Sequence, residues 1–207
     1  IDDALEFAKK LRKHTNLEVS FNIFNITSYA DLELDSVVDK VIDSSLEYVY
    51  MADTHGHLDV NRDMGKFEKH FKKIKKTGKK TGFHLHNHTG KAYMNYIKCK
   101  ESLYVDLCDT SVMSLGKGAG NLKLEDVLSD EKSFLLNEFI FKHYDTVFKK
   151  TVSPYYLVTG RYGITDNYAT QAEKLKTPMH KFINFCYGVS GLKIDNFDKN
   201  ILKEFCG

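Results

Sequence analysis

Helical and strand-like segments alternate along the first part of this chain. Four strand-like segments lie at intervals of ~30 residues, and segments with helical spacing of apolar residues separate them. Such an alternation favours βα units around a parallel sheet, because a parallel crossover needs a connection of helix length. The strand-like segments cover residues 17–26, 48–52, 82–86 and 102–108.

The pattern changes beyond about residue 131, where it contains helices only and is interrupted at Pro154. The sequence therefore predicts an α/β region over residues 1–130 and a small helical region over residues 131–207. Four βα units amount to half of a (β/α)8 barrel, but they could also form an open doubly wound sheet. The alternation alone leaves both architectures open.

Composition and charge exclude several classes of protein. With 42% hydrophobic residues, 28% charged residues and a net charge of +2, the chain has the composition of a soluble globular protein. Its lysine cluster over residues 72–80 lacks interleaved aromatics, which favours a solvated helix end over a nucleic-acid site. No apolar run has the length of a membrane span, and the four cysteines show no zinc-like spacing. We therefore expect a cytoplasmic protein without nucleic-acid or membrane partners.

Polar residues collect where each predicted strand ends. In a parallel barrel the catalytic side chains lie at the carboxyl ends of the strands and in the loops that follow. Polar groups at every strand end are what a catalytic face requires. The residues at these ends are Asn22, Asn25, Asp53, Thr54, His55, His84, His86, Asn87, His88, Asp109, Thr110 and Ser111.

The pair His84 and His86 gives the sharpest local signal. On a strand, residues i and i+2 point to the same side, so both imidazoles can face one metal ion. By itself the His-x-His pattern is weak, because histidine pairs are common on surfaces. His88 would face the same way if the strand continued, and otherwise lies in the following loop.

A glycine-rich loop at Gly116, Gly118 and Gly120 allows two interpretations. It could cradle a phosphate at a helix N-terminus, with Lys117 supplying charge. It could equally be a tight connection from a strand to a helix, since glycine tolerates positive φ. It is not a Walker A loop, because no Gly-Lys-Ser/Thr follows.

Three blocks together resemble a known superfamily. GFHLHNHTGKAYMN (82–95) and YVDLCDTSVMSLGKGAGNLKLE (104–125), preceded by ADTHG (52–56), closely resemble the HMG-CoA lyase-like, or DRE-TIM metallolyase, superfamily. The segment YYLVTGRYGI (155–164) is most similar to the branch of 4-hydroxy-2-oxovalerate aldolase. The resemblance implies an α/β fold in which residues 1–130 form the C-terminal half of a TIM (β/α)8 barrel, equivalent to strands 5–8. Residues 131–207 would follow as a small helical tail.

The resemblance also implies a cofactor and its ligands. It implies a divalent metal ion, Mn or Mg rather than Zn, bound by His84 and His86, with Asn121 as a further ligand. The ion would bind the carbonyl oxygens of a small 2-oxo acid and stabilise the enolate formed as a carbon–carbon bond breaks or forms.

Further residues receive roles from the same resemblance. Asp53 and Thr54 would orient the substrate, and Tyr155 or Tyr156 would take part in proton transfer. For both tyrosines, packing between helices is the alternative interpretation. The remaining candidates, in substrate-binding or loop-supporting roles, are Asn22, Asn87, Asp109, Ser111, Gly116 and Gly118.

Two departures from the superfamily pattern limit what this chain can do alone. The loop at Gly116 lacks the cysteine of HMG-CoA lyases, and the first-strand motif Asp-x-x-x-Arg-Asp, with a metal-binding Asp and an enolate-stabilising Arg, is absent. Since the chain begins at Ile1 and runs directly into a helix, we expect the first four βα units to be missing.

Three hypotheses about function follow. The first is a metal-dependent aldolase or lyase acting on small 2-oxo acids such as pyruvate. The second is an acyl-CoA-dependent Claisen synthase of the isopropylmalate synthase type. The third is a noncatalytic, incomplete barrel that needs a partner, either the missing N-terminal half or a second copy of the chain.

Overall fold

The computed structural model describes residues 1–102, 104–148, 153–192 and 197–206. The chain divides into two compact units. The first, here called the sheet unit, comprises Ile1–Thr54, Leu58–Leu85 and Met94–Asp109. The second, the helical unit, comprises His55–His57, His86–Tyr93 and Thr110–Gly207. The boundary predicted between residues 130 and 131 stays a prediction.

The sheet unit contains four parallel strands among its described residues. They are β1 (Ser20–Ile23), β2 (Tyr48–Asp53), β3 (Lys80–Leu85) and β4 (Leu107–Asp109), in the spatial order β1-β2-β3-β4. The strands follow the chain without the reversal that defines a doubly wound sheet, so the order is that of consecutive barrel units. The helices of these units are α1 (Asp2–His14), α2 (Asp31–Ile42), α3 (Val60–Lys75) and α4 (Ala92–Glu101).

Helix α3 shows how the core of the sheet unit forms. Asp59 caps the helix, since its side chain accepts a hydrogen bond from the backbone of Asn61. Phe67 and Phe71, one turn apart, are fully buried on the face that meets β3. Their rings contact Phe83 edge to face, with centroids 6.1 and 4.9 Å apart. The apolar period of the sequence therefore aligns this helix on its strand.

The first and fourth strands are shorter than the sequence predicts, and the third begins and ends earlier. The first covers Ser20–Ile23 instead of residues 17–26. The fourth covers Leu107–Asp109 instead of residues 102–108, of which Leu103 lies outside the described residues. The third ends at Leu85, so His86 is not part of it. His86 instead forms a single antiparallel bridge with Asn121, a partner 35 positions away that no local pattern reveals.

Both interpretations of the glycine loop predict a helix directly after it, from about Leu122, and this prediction is wrong. Only a short 3-10 turn forms there, at Leu124–Asp126. The backbone of Ser111 pairs with this segment: Ser111 N donates to Leu122 O at 3.0 Å, and Ser111 O accepts from Leu124 N at 2.9 Å. This pairing holds the segment extended, and an extended segment cannot start a helix.

The helical unit contains α5 (Asp130–His143), a π turn at Tyr144–Phe148, α6 (Pro154–Tyr162), α7 (Asn167–Lys174), α8 (Met179–Val189) and α9 (Lys199–Cys206). Pro154 begins α6, as its missing N–H and fixed φ allow at a first helical position. The described residues after Pro154 form regular helices, in agreement with the predicted helical region. Its core includes Tyr168, Phe182 and Phe185. Among the described helices, none combines the length and apolar character needed to cross a membrane.

Candidate active site

One face of the sheet carries a row of polar side chains near the carboxyl ends of its strands. The register aligns Ala52 with His84 and His84 with Asp109, so these residues point to the same side. The neighbouring row aligns Asn22 with Tyr50 and Tyr50 with Gly82. By alternation this second row faces the same side. The polar residues that share this face are therefore Asn22, Tyr50, His84 and Asp109. Tyr50 lies inside its strand, and the other three were predicted at strand ends.

His84 and Asp109 form a side-chain pair on this face. Nδ1 of His84 lies 3.1 Å from Oδ2 of Asp109, and both side chains are partly exposed. If Nδ1–H donates to the carboxylate, Nε2 carries the lone pair of the ring. A histidine held in this way by a carboxylate is the usual arrangement of a metal ligand, because the carboxylate fixes the tautomer and raises the basicity of the ring.

Tyr50 completes the network and was missed by the sequence analysis. Its hydroxyl donates to Asp109, and burial together with the charge of Asp109 raises the pKa of Tyr50 to about 12. The ring of Tyr50 lies against Gly82, where an added Cβ would overlap a carbon atom of the ring. The available signal was the glycine inside a strand, which often marks the close approach of another group.

Asp53 and Thr54 have structural contacts in the sheet unit. Asp53 alternates with Ala52, so it points to the face opposite His84, where it is buried and accepts a hydrogen bond from Leu58 N at 3.1 Å. Thr54 Oγ1 accepts from the backbone of Asn25, a residue with φ of 53°. Both side chains shape the loops after β1 and β2, and their role in orienting a substrate stays a prediction.

Asn22 and Asn121 each hold a buried amide oxygen. Oδ1 of each lacks a hydrogen-bond partner within the described part of the chain. A buried polar atom left in this way costs free energy, about 1–3 kcal/mol, unless water or a ligand contacts it. These two oxygens are therefore candidate contacts for a bound group, Asn22 in the sheet unit and Asn121 in the helical unit.

Asn121 and His86 are brought together in the helical unit. Besides their backbone bridge, Asn87 N donates to Gly120 O at 2.8 Å. The side chain of Asn87 caps the first turn of α4, accepting from Ala92 N at 3.2 Å. A Cβ on Gly116 would lie 2.7 Å from Oδ1 of Asn121, so glycine is needed for this close approach.

His88 is a packing residue in the structure. It lies in a turn, 2% exposed, and Cβ atoms added at Gly56, Gly118 or Gly160 would come within 2.7 Å of its side chain. Burial, and then the neighbouring His86, lower the pKa of His88 to about 4, so the ring is neutral at pH 7. Three glycines from three segments pack around one neutral imidazole.

The geometry around Lys117 favours a tight connection over a phosphate cradle. The Lys117 ammonium contacts Asp166 at 2.9 Å and Asn167 at 3.1 Å, so its charge is already paired. No helix begins at the glycine loop, because the segment after Gly120 is extended and then forms the 3-10 turn. The positive φ of Gly118, 65°, and of Gly120, 89°, are what such a connection uses.

The two candidate tyrosines differ in their surroundings. The Tyr155 hydroxyl donates to the carbonyl of Thr177, and its ring packs on Phe182 with centroids 5.2 Å apart. The Tyr156 hydroxyl lies 3.0 Å from Thr170 Oγ1, and the ring of Tyr156 meets the ring of His88 edge to face, with centroids 6.0 Å apart. Both therefore have helix-packing contacts, and only Tyr156 contacts the turn that follows β3. Proton transfer by either stays a prediction.

Each unit by itself contains a side chain suited to a divalent metal ion. Within the described ranges, no three His, Cys, Asp or Glu side chains are grouped to hold an ion. His84 with its carboxylate partner has the arrangement of a ligand, and the buried Oδ1 of Asn121 offers a hard oxygen donor. Imidazole and amide oxygen are both compatible with Mn, and oxygen with Mg.

The sequence model of one family, HMGL-like, matches residues 1–133. The chain belongs to the HMGL-like family. Among curated proteins no relative matches. The assignment confirms the superfamily resemblance, whereas the 4-hydroxy-2-oxovalerate aldolase branch stays a prediction.

Solved structures share the fold of this HMGL-like chain. The N-terminal domain of a candidate aldolase from Bacteroides vulgatus has a TM-score of 0.66 and 20% identity, over 88% of this chain and 62% of that one. A variant of Rhizobium etli pyruvate carboxylase crystallised without acetyl coenzyme A has a TM-score of 0.57 and 15% identity, over 91% and 21%. The carboxyl transferase domain of Rhizobium etli pyruvate carboxylase with 3-hydroxypyruvate has a TM-score of 0.55 and 16% identity, over 86% of this chain and 34% of that one.

These likenesses establish the α/β fold as part of a TIM-barrel-like domain, followed by a helical tail. The chain spans less than two thirds of the length of each of these three proteins. At these identities the comparison concerns the fold alone.

Proposed function

We propose that this chain forms part of a metal-dependent aldolase or lyase that breaks or forms a carbon–carbon bond in a small 2-oxo acid. The family supports the class of reaction, since HMGL-like proteins are generally lyases or transferases. The observation that carries the proposal is the His84–Asp109 pair at the carboxyl ends of β3 and β4. This is the edge of a parallel barrel at which catalytic groups lie.

The proposed metal ligands are His84, His86 and Asn121, with Mn or Mg as the ion. When bound, the ion supplies Lewis-acid stabilisation of the enolate oxygen. Asp109 orients His84 through Nδ1, and the hydroxyl of Tyr50 in turn orients Asp109. The buried Oδ1 of Asn121 supports its assignment, because a ligand contact would satisfy it.

The glycine loop is fixed by contacts within the helical unit. Gly120 O accepts from Asn87 N at 2.8 Å, and Gly118 packs against His88, so the glycine loop is held beside the turn that carries His86. Asn22, Asp53, Thr54 and Ser111 are proposed to contact the substrate or to support this loop. For proton transfer we favour Tyr156 over Tyr155, because its ring contacts His88.

The decisive experiment measures Mn binding and turnover in the full-length protein. His86→Ala is expected to lower Mn affinity and pyruvate release from 4-hydroxy-2-oxo acids by at least ~10-fold, as loss of a metal ligand does. His180→Ala, which removes an exposed histidine of α8, is the matched control and should change neither.

Two results would contradict the proposal. Wild-type metal affinity and turnover in His86→Ala would remove the ligand assignment. Consumption of an acyl-CoA without release of pyruvate would replace the aldolase by the Claisen-type synthase.

A further inference from the structure

We propose that Glu125 is a positioning residue that sets the orientation of Asn121 by holding a left-handed turn at Met113 and Ser114. The inference rests on the proposed function where Asn121 acts as a metal ligand. The loop-holding role itself is independent of that assignment. All the residues involved belong to the helical unit.

The turn is strained. Met113 has φ of 51° and Ser114 has φ of 56°, two consecutive residues in the left-handed region without a glycine. A Cβ disfavours this conformation, and it persists only where surrounding contacts impose it. Such strain collects at functional sites, and this turn lies directly before the glycine loop.

Glu125 supplies the contact that imposes the turn. The backbone N–H of Met113 donates to both carboxylate oxygens of Glu125, at 2.8 and 3.1 Å. A hydrogen bond to an ionised acceptor is stronger than one to a neutral carbonyl. The side chain of Glu125 is partly buried, 12 positions after Met113, and so fastens the end of the loop to its beginning.

The turn is coupled to Asn121 by contacts in both directions. Asn121 N donates to Ser114 O at 3.3 Å, and the Ser114 hydroxyl donates to Asn121 O. The side-chain N–H of Asn121 donates to Leu115 O at 3.3 Å. This bond fixes the carboxamide, whose Oδ1 is the buried oxygen proposed to contact the metal ion. Since all three contacts are with Ser114 and Leu115, the carboxamide of Asn121 follows the conformation of the turn.

The same contacts extend to His86. Its backbone pairs with Asn121 in the antiparallel bridge. A loop that loses its left-handed turn would therefore shift one proposed ligand directly and the segment of another through the bridge. Glu125 acts through the backbone N–H of Met113, so its effect on the proposed ligands Asn121 and His86 would be indirect.

The test uses two substitutions in the full-length protein, one that removes the Glu125 carboxylate and one that relieves the backbone strain at Met113. Glu125→Ala removes the contact, and Met113→Gly removes the Cβ that makes the turn unfavourable. Two readouts are compared: the rate of tryptic cleavage after Lys117, whose side chain is 60% exposed in the loop, and the Kd for Mn in the absence of substrate. Asp126→Ala, which alters an exposed neighbouring carboxylate, is the matched control.

We expect Glu125→Ala to accelerate cleavage after Lys117 and to weaken Mn binding by ~10-fold, as losses of ligand-orienting partners do. The double variant Glu125→Ala with Met113→Gly should recover most of the resistance to cleavage and most of the affinity for Mn, because glycine adopts the left-handed turn without a stabilising contact. Glu125→Gln, which keeps an acceptor oxygen, should fall between wild type and Glu125→Ala. A role of Glu125 in folding alone would not be rescued by a glycine at position 113.

The outcomes separate this inference from the proposed function. Unchanged cleavage and Mn affinity in Glu125→Ala, with binding lost in His86→Ala, would overturn the inference and leave the metal site in place. Glu125→Ala could instead accelerate cleavage, with reversal by Met113→Gly, and leave the affinity for Mn unchanged. That result would support the loop-holding role and remove Asn121 from the set of proposed metal ligands. If Glu125→Ala does not fold, the comparison of Glu125→Gln with and without Met113→Gly decides, and failure of glycine to rescue it overturns the inference.

Discussion

Oδ2 of Asp109 lies 3.1 Å from Nδ1 of His84, and the register of β3 and β4 pairs the two residues directly. The carboxylate is therefore placed by the sheet itself and not by a loop. Strand-borne groups are held more rigidly than loop-borne ones, which suits a residue that must orient an imidazole. On the same face Tyr50 donates to this carboxylate, so β2 takes part as well.

The first prediction concerns Asp109. Asp109→Ala should weaken Mn binding by ~10–100-fold, because His84 loses the partner that fixes its tautomer and orientation. Isothermal titration calorimetry measures the affinity, and Asp3→Ala, an exposed carboxylate of α1, is the control. An unchanged Kd in Asp109→Ala would show that the pair does not serve a metal site.

The second prediction concerns the contact between Gly82 and Tyr50. Gly82→Ala should lower the free energy of unfolding by about 1–3 kcal/mol, because the new Cβ would overlap the Tyr50 ring. Urea denaturation measures this loss, which should shrink in a Tyr50→Ala background since the overlapping ring is gone. Gly65→Ala is the control: its Cβ meets nothing within 4 Å, and in α3 it should stabilise by about 0.5–1 kcal/mol. Equal losses for Gly82→Ala in both backgrounds would refute the contact.

The third prediction is a pH dependence from Asp106. Burial raises the pKa of Asp106, but hydrogen bonds from Lys75 at 2.6 Å and from Thr81 outweigh it and lower the pKa below 3.8. A lowered carboxyl pKa adds stability above pH ~3.8, and this stability is lost as the pH falls through the folded-state pKa. Asp106→Asn should therefore unfold at lower urea than wild type at pH 6. The difference should narrow below pH ~3.8, whereas a constant difference would contradict the linkage.

The fourth prediction separates the two tyrosines. Tyr155→Phe should cost about 1 kcal/mol of unfolding free energy, because its hydroxyl bond to the Thr177 carbonyl is lost, with turnover unchanged. Tyr156→Phe should lower kcat with little change in KM if Tyr156 transfers a proton, as proposed. Thermal unfolding and steady-state kinetics on both variants make the comparison. A drop in kcat for Tyr155→Phe alone would reverse the assignment.

Local patterns predicted the parts of the fold that depend on local spacing. Phe67 and Phe71 repeat at helical distance and do bury one face of α3, and Val49 and Met51 alternate on β2 and are buried. The sequence motifs around His84 were sufficient for the family. These features need no knowledge of distant partners, which is why a single sequence contains them.

Features that depend on distant partners were missed. His86 was placed on the strand because nothing nearby indicates that it pairs with Asn121. The helix expected after the glycine loop was lost to backbone pairing with Ser111. Tyr50 did not stand out, and Glu125 appeared only as the last residue of the second motif, without a role. Their contacts, with Asp109 and Met113, lie across the fold.

The alternation of faces along the strands makes this site sensitive to changes in chain length. Tyr50, His84 and Asp109 share one face because their registers match, while Phe83 and Cys108 occupy the other row. One residue inserted between Gly82 and His84 would turn the imidazole to the helix-covered side and bring an apolar side chain to the polar face. Related proteins with this site should therefore vary in length in the loops, between Gly56 and Val60 for example, and keep the strand spacing from Gly82 to His84 without insertion or deletion.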